Sequence, residues 1–289
     1  MKIRTIITMV VVLAMAITIT SCDNKNKNKV TITILQTADI HGQLDTHEEM
    51  FVEDNKVVFR KRGGMANIKS LFDAERANNP GRTVVIDAGD LIQGSGYAVS
   101  SEGRIFSEIV QQMNYDLMMP GNWEVVYGKE RMMEVMTNYN TNVIAQNMYH
   151  DETGENLFPP YWTTTIEGIK LAFIGVNDPD IPFRQAPSYS KGISFSGIDG
   201  RLEDVINKVK EGEKPNALFL VTHIGIFKQV DLASNKLSEG VAYILGADTH
   251  ERIREPIEGE YSKVVEPGAF GSFVGKLVLN FEDGKIVSD

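Results

Sequence analysis

Cysteine is nearly absent from this sequence. Cys22 stands alone among 289 residues, so no internal disulfide can form and thiol pairs contribute nothing to the fold. Basic charge is scarce as well: 29 Lys and Arg face 39 Asp and Glu, a net charge of −10. A deficit of that size argues against a face for nucleic-acid polymers or anionic membranes, and no Lys/Arg cluster interrupts it. No internal repeat is present. Long apolar runs are missing too, apart from one at the N-terminus.

That run, Ile6 to Ile19, follows the basic Lys2 and Arg4 and leads into Ile19-Thr-Ser-Cys22. It reads as a secretory signal and is too short for a comfortable transmembrane span. Small or hydroxyl residues just before a Cys resemble a bacterial lipoprotein box. The resemblance implies lipidation of Cys22 and anchoring to a cell-envelope membrane, facing the periplasm or the exterior. An exported chain normally uses Cys in pairs, whereas one unpaired Cys at the signal end is what a lipid anchor needs. Loss of Lys2 and Arg4 leaves 27 basic residues (29 less 2) against 39 acidic, or −12 for the mature chain. Asp23 to Lys29 is polar and low in complexity, and reads as a flexible tether. The folded domain is expected over residues 30–289.

What remains is ordinary globular material, 42% hydrophobic and 24% charged, long enough to bury a full core. Val30 to Gln36 alternates polar and apolar residues and predicts a strand. Asp45 to Arg62 predicts a polar hairpin insertion. Met65 to Asn78 predicts a helix with Met65, Ile68, Leu71 and Phe72 on its apolar face. Thr83 to Ile86 is a strand, and Arg104 to Met113 is a helix with Ile105, Ile109, Val110 and Met113 inward. Tyr115 to Met119 is a strand stopped by Pro120-Gly121. Lys129 to Asn138 is a short helix and Val143 to Ala145 a strand. Thr163 to Ile166 and Lys170 to Gly175 predict a hairpin. Asp178 to Gly197 is a long loop with three prolines, a length that usually marks function or mobility. Gly200 to Glu211 and Val230 to Asn235 are helical. Strands are expected at Ala217 to Thr222, Val241 to Leu245, Lys263 to Glu266 and Lys276 to Phe281. The β/α alternation with a β finish implies two packed sheets with helices outside.

Chemistry-bearing residues recur just past strand ends. They are Asp39-x-His41, Asp90, Asn122, His223, and Asp248-x-His250. Residues i and i+2 of an extended segment point to one side, so each Asp-x-His pair can address one point. Gly42, Gly89, Gly121 and Gly246 supply tight turns. Carboxylate, imidazole and amide ligands suit Zn, Mn, Fe or Mg rather than a thiolate-selective metal. Two such ions about 3.5–4 Å apart form a clamp for in-line displacement at phosphorus. Taken singly, each cluster has a plainer reading. An Asp-x-His is commonly a surface feature, His223 could be a satisfied core residue, and Asn122 beside Pro-Gly could simply make a turn. Asp87 reads as structural. The recurrence in order, with three of the five His residues inside the clusters, favours a metal site. His47 and His150 are expected in polar loops without such context.

These residues resemble the calcineurin-like metallophosphoesterases, in their 5′-nucleotidase branch. Asp39-Ile-His-Gly42, Gly89-Asp-Leu-Ile-Gln-Gly94, Gly121-Asn-Trp-Glu124, Thr222-His-Ile-Gly225 and Ala247-Asp-Thr-His250 stand in the order of that branch's motifs, and the likeness runs from Val30 to Phe281. The resemblance implies a four-layer α/β/β/α sandwich and two divalent ions. Asp39, His41 and His250 would hold one ion; Asn122, His223 and residue 248 would hold the other, with Asp90 bridging. Members of that branch generally continue into a C-terminal domain that grips the substrate, so the resemblance implies that such a domain is supplied elsewhere, is lacking, or is cut off by truncation of the sequence. Two departures stand out. Asp248 replaces a His. Trp123 replaces the branch's catalytic His, and Val126 replaces the Asp that holds it. Indole neither transfers a proton nor carries charge, so Trp123 would serve a poor leaving group badly.

Trp at this position also resembles the sulfate thiohydrolases of the Sox sulfur-oxidation pathway, as do Gln93-Gly-Ser-Gly96, Ala145-Gln-Asn147 and Val230-Asp-Leu-Ala-Ser234. Those enzymes usually carry His where this chain has Asn122. Three readings follow: a hydrolase of a small phosphoester such as a nucleotide, a thiohydrolase of a cysteine S-thiosulfonate, and a binding protein of the same fold without turnover. Tyr97, Glu124 and Phe183 are candidates for lining the substrate pocket.

Overall fold

A computed structural model describes residues 29–289. The expected signal peptide, the lipidated Cys22 and the tether lie outside those residues. The exception is Lys29, expected in the tether, which opens the first strand and pairs with Glu282. Strand β1 (Lys29–Thr37) precedes a hairpin of β2 (Thr46–Glu53) and β3 (Lys56–Gly63), then α1 (Met65–Asn78) and β4 (Thr83–Asp87). Helices α2 (Gly96–Ser101) and α3 (Ile105–Met113), β5 (Leu117–Met118), a 3-10 turn at Glu124–Tyr127, α4 (Lys129–Thr137) and β6 (Asn142–Val143) follow. The second half runs β7 (Met148–His150), β8 (Tyr161–Ile166), β9 (Ile169–Asn177), α5 (Ile181–Arg184), β10 (Ile193–Phe195), α6 (Ile198–Gly212), β11 (Ala217–His223), α7 (Ile226–Ala233) and β12 (Tyr243–Leu245). Then come β13 (Ile257–Glu258), β14 (Lys263–Val265), β15 (Gly275–Glu282) and β16 (Lys285–Ser288).

Two six-stranded sheets result, in the orders β16-β15-β1-β4-β5-β6 and β13-β14-β12-β11-β9-β8. The two-residue period of the strands divides their apolar residues between two layers. In β1 and β4, Ile32, Ile34, Val84 and Ile86 point between the sheets, where they meet Leu171 and Phe173 of β9 and Phe219 of β11. Phe173 and Phe219 stack there with centroids 5.0 Å apart. The opposite face of the first sheet, Leu35 and Val85, packs on Ile68 and Phe72 of α1 and Phe106 of α3. The opposite face of the second, Ile174, Leu218 and Leu220, packs on Leu202 and Ile206 of α6. Strands buried on both faces need nearly continuous apolar sequence, which β9 and β11 have. The architecture is the four-layer α/β/β/α sandwich.

The structure revises several local expectations. Leu71 and Ile105 point to solvent, at 57% and 38% exposure, so the apolar stripes of α1 and α3 are narrower than expected. Helix α7 begins at Ile226, directly after the Thr222-His-Ile-Gly turn. The long loop after β9 holds α5, and it holds β10, which pairs with β7 in a separate two-stranded sheet. His47 and His150 lie on β2 and β7 rather than in loops. The parallel strands β1, β4, β5, β11 and β12 all end on one edge of the sandwich, the place where open α/β sheets build sites. Among the described residues no helix is long and apolar enough to cross a membrane.

Candidate metal centre

The strand ends bring the expected ligands together. Asp39, His41 and His250 form one compact group of potential ligand atoms; Asp39, Asp90 and His223 form a second. His41 Nε2 lies 3.1 Å from His250 Nε2, and Asp39 Oδ1 lies 3.6 Å from His250 Nε2 and 3.8 Å from His223 Nε2. Asp90 Oδ2 lies 3.2 Å from His223 Nε2 and 3.7 Å from His41 Nε2, between the two groups. Asn122 Oδ1 lies 3.1 Å from His223 Nε2. Asp39, Asp90, Asn122 and His223 are buried, and His250 stands at the open side.

The backbone reaches this arrangement by a route other than the expected one. Asp39, His41, Asp90, Asp248 and His250 have φ of 52°, 49°, 60°, 91° and 61°. Those are left-handed conformations, not the extended backbone from which the i, i+2 spacing was argued. Asp and His tolerate that region better than most residues. The turns are pinned by main-chain bonds from Asp39 N to Gly89 O at 2.8 Å and from His41 N to Asp90 O at 2.9 Å. Two glycines permit the close approach of the second and third clusters. A Cβ on Gly89 would sit 2.4 Å from Gly121 N, and one on Gly121 would sit 2.3 Å from Asp90 Oδ1.

The imidazoles are held in one orientation. His223 Nδ1 faces Ala88 O at 2.8 Å, and His41 Nδ1 faces Gln93 O at 3.1 Å. A carbonyl accepts only, so Nδ1 carries the proton and the Nε2 lone pair points into the cluster, the usual arrangement of a ligating histidine. Asp39 Oδ1 is buried without a hydrogen-bond partner, although buried polar atoms are normally satisfied. Burial pushes the Asp39 carboxyl well above its ordinary range, against the pull of His223. For His223 burial works against charge, but the carboxylates of Asp90, Asp39 and Asp248 outweigh it and hold the ring well above the usual value, so without a cation Nε2 tends to keep a proton in the place a metal would take. Burial would likewise raise Asp90, and His223 and His41 beside it bring it down instead. Carboxylates crowded on inward-facing lone pairs form a site short of positive charge, and divalent cations fit that donor set.

Asp248 is placed differently from the other candidates. Its Oδ1 comes within 3.7 Å of His223 Nε2, but it belongs to neither compact group, and Arg184 of α5 binds both of its oxygens. Glu124 does not line a substrate pocket. It is 1% exposed and accepts backbone N–H bonds from Gly121 at 2.6 Å, Asp90 at 2.9 Å and Leu91 at 2.7 Å. Its carboxylate joins the second and third clusters, and burial, reinforced by Asp90, pushes its pKa up to about 7. Asp87 is structural, taking Thr37 Oγ1 at 2.6 Å and Gly89 N at 3.0 Å. Tyr97 is half exposed and lines a cavity of about 390 Å³ with Gly42, Asp45 and Ser95, next to His41. Phe183, beside Arg184, is 88% exposed and free of packing that would hold it.

Sequence reasoning missed four contributors. Arg184 carried no local signal. Asn177 donates from Nδ2 to Pro120 O at 2.8 Å, and Asn147 bonds the Asn177 backbone through both N–H and C=O. This pair anchors the turn that presents Asn122. Phe270 packs its ring against His250 and His41, with centroids 5.0 and 5.9 Å away.

A family model for calcineurin-like phosphoesterases matches residues 32–252. A 5′-nucleotidase of Vibrio vulnificus is 24% identical over 253 residues, 77% of this chain and 46% of that protein. A 5′-nucleotidase of Vibrio cholerae is 30% identical over 168 residues, 57% of this chain and 30% of that protein. The chain thus spans less than half the length of these relatives. Among solved structures, the NAD nucleotidase of Haemophilus influenzae superposes with a TM-score of 0.77 at 22% identity, covering 90% of this chain and 49% of that one. The sulfate thiohydrolase SoxB of Thermus thermophilus superposes with a TM-score of 0.78 at 23% identity, covering 89% and 55%. At these identities the superpositions establish the shared fold.

Proposed function

The chain belongs to the calcineurin-like phosphoesterase family, and from that membership we propose that it is a hydrolase of small phosphoesters that works with two divalent cations. The observation that carries the reading is Asp39 Oδ1. It is buried and lacks a partner, and it lies 3.6 Å from His250 Nε2 and 3.8 Å from His223 Nε2. One cation would be held by Asp39, His41 and His250, the other by Asn122, His223 and Asp248, with Asp90 Oδ2 between them. Bound there, divalent cations would supply Lewis acidity at the phosphoryl oxygens and lower the pKa of water. The protein's own part is to aim Nε2 of His41 and His223 and to fix the buried carboxylates of Asp39 and Asp90. The 5′-nucleotidases among its relatives support a nucleotide as the phosphoester.

A second reading keeps the hydrolytic centre and changes the substrate to a cysteine S-thiosulfonate. Trp123 and Val126 favour it, because a thiol leaving group needs little help from an acid. Asn122 favours the phosphoester. The binding-protein reading is disfavoured by the retained cluster, since buried charge without use carries a cost. The deciding experiment loads the full chain with Mn²⁺ or Zn²⁺. It then measures release from a nitrophenyl phosphate, a nucleoside 5′-monophosphate and a cysteine S-thiosulfonate. Turnover of the first two supports the proposal, turnover of the thiosulfonate alone replaces it with the second reading, and no stoichiometric metal ends both.

We further propose export to the cell envelope on a lipid at Cys22. The composition of the first 22 residues supports this. Cys22→Ser should move the protein from the membrane fraction to the soluble one, and unchanged fractionation would refute the anchor.

A further inference from the structure

Asp248 stands where the family pattern has a histidine, and it does not stand alone. Arg184 Nη1 donates to its Oδ2 at 3.0 Å and Nη2 donates to its Oδ1 at 2.8 Å. This is a two-pronged pairing with the planar fit that arginine gives a carboxylate. The same Nη1 donates to Asp178 Oδ2 at 2.6 Å. Asp178 is fully buried and also receives Lys228 Nζ at 2.9 Å. Arg184 is therefore held from behind by β9's exit and reaches forward to the ligand cluster. Asp248 Oδ1 keeps a second side toward His223 Nε2, 3.7 Å away. Two ligand atoms each ~2.1 Å from one cation stand roughly 3–4 Å apart, so Oδ1 can serve a cation while Arg184 holds the carboxylate.

The charges explain the pairing. An aspartate in place of a neutral imidazole adds one negative charge to a cluster that already holds Asp39 and Asp90. A guanidinium bound to that aspartate removes it again. We propose that Arg184 and Asp248 act together as one charge-neutral ligand unit at the cation position shared by Asn122 and His223. In this unit Arg184 is the positioning residue that lets an aspartate occupy a histidine's place. The inference rests on the two-cation reading above and deepens it, since it assigns the loop after β9 a part in setting cation affinity.

A counter-intuitive consequence follows. Asp248→His installs the family's own ligand, yet it removes one of Arg184's two carboxylate partners and leaves the guanidinium beside the metal with Asp178 alone, a carboxylate that Lys228 already pairs. Repulsion of a divalent ion by a unit charge a few ångströms away is worth more than 1.4 kcal/mol at an effective dielectric near 20, so the second cation should bind at least about tenfold more weakly. Arg184→Gln in the same chain removes the repulsion and should restore affinity to within about threefold of the wild type.

The test strips the full chain with a chelator and titrates it with Mn²⁺. Calorimetry reads affinity and stoichiometry, and the resonance of free Mn²⁺ counts uptake independently. Weakening in Asp248→His with recovery in Asp248→His/Arg184→Gln supports the unit, and recovery also shows that the single variant had not merely misfolded. An Asp248→His variant that binds two Mn²⁺ as tightly as the wild type overturns the inference. So does a double variant as weak as the single one. A wild type that takes up no Mn²⁺ overturns the metal reading itself, and this inference with it.

Discussion

The backbone N–H of Trp123 donates to Asp90 Oδ1 at 2.7 Å. Residue 123 therefore steadies a carboxylate of the cluster through its main chain, whatever side chain it bears. The indole can be exchanged without disturbing that bond, so the absence of an acid at this position can be tested separately from the ligand geometry. Trp123→His with Val126→Asp should raise turnover of an alkyl phosphate by about tenfold or more, within the ~10²–10⁴ typical of a positioned proton donor. Turnover of a nitrophenyl phosphate, whose leaving group needs no proton, should change little. The ratio of the two kcat values checks this, and equal changes on both esters would count against a leaving-group role for position 123.

Asp39 combines burial, charge and an unpartnered oxygen. In metal-free protein that is a destabilising combination. Asp39→Asn should melt at a higher temperature than the wild type when both are chelated. With Mn²⁺ the order should reverse, because ligand binding stabilises the wild type by about 2.7 kcal/mol at a hundredfold excess over Kd and the variant loses that gain. A variant that keeps the metal-dependent rise in Tm would remove Asp39 from the ligand set.

Glu124 holds the backbone N–H groups of Gly121, Asp90 and Leu91 in one carboxylate. Glu124→Ala strands those donors in the interior. The expected loss is roughly 3–5 kcal/mol, as for other broken buried networks, read as a lower urea midpoint. Metal uptake should weaken as well, because Asp90 and Asn122 lie on the two turns that Glu124 joins. Unaltered stability in Glu124→Ala would mean that water replaces the carboxylate.

Asp87 gives a pH signature. Burial pushes its pKa up to about 7 in the fold, from 3.8. A raised folded value means that the protonated acid is the form the fold prefers. The contribution is therefore complete below about pH 4 and is lost as pH rises through 7. Asp87→Asn mimics the neutral acid at every pH. Relative to the wild type, this variant should gain stability between pH 5 and pH 8 in chelated protein, measured by urea unfolding. A stability difference independent of pH would show that Asp87 does not titrate in that window.

Much of this molecule is legible in the sequence, because the two strongest signals are local. Alternation in Val30 to Gln36 and the apolar runs at 170–175 and 217–222 give the central strands, and polar groups just past them give the candidate ligands. What failed to show was long-range. Leu71 fits a helical stripe as well as Phe72 does, but only Phe72 lies under the first sheet. Glu124 follows Trp123 by one residue and looked like part of the same pocket wall. The 3-10 turn folds its carboxylate inward toward N–H groups more than 30 residues earlier in the chain. Arg184 lies 64 residues from Asp248, with no spacing rule to join them. A physical signal did exist: an added carboxylate in a neutral ligand's place demands a cation nearby. The i, i+2 argument rests on extended backbone, whereas left-handed turns place these side chains: Asp39 and His41 meet in one group, while Asp248 turns to Arg184 and His223 and stands outside the group of His250.

Those left-handed turns bear on how such a site persists over evolutionary time. At Asp39, His41, Asp90, Asp248 and His250 the main chain takes a shape that glycine would adopt with less strain. Each such position costs on the order of 1–3 kcal/mol when a side chain occupies it. Drift under selection for folding alone would therefore replace these residues one after another, leaving a sounder sandwich with an inert rim. Five such side chains stand at the candidate metal centre, so the strain there is a stability cost that a metal-binding role would offset.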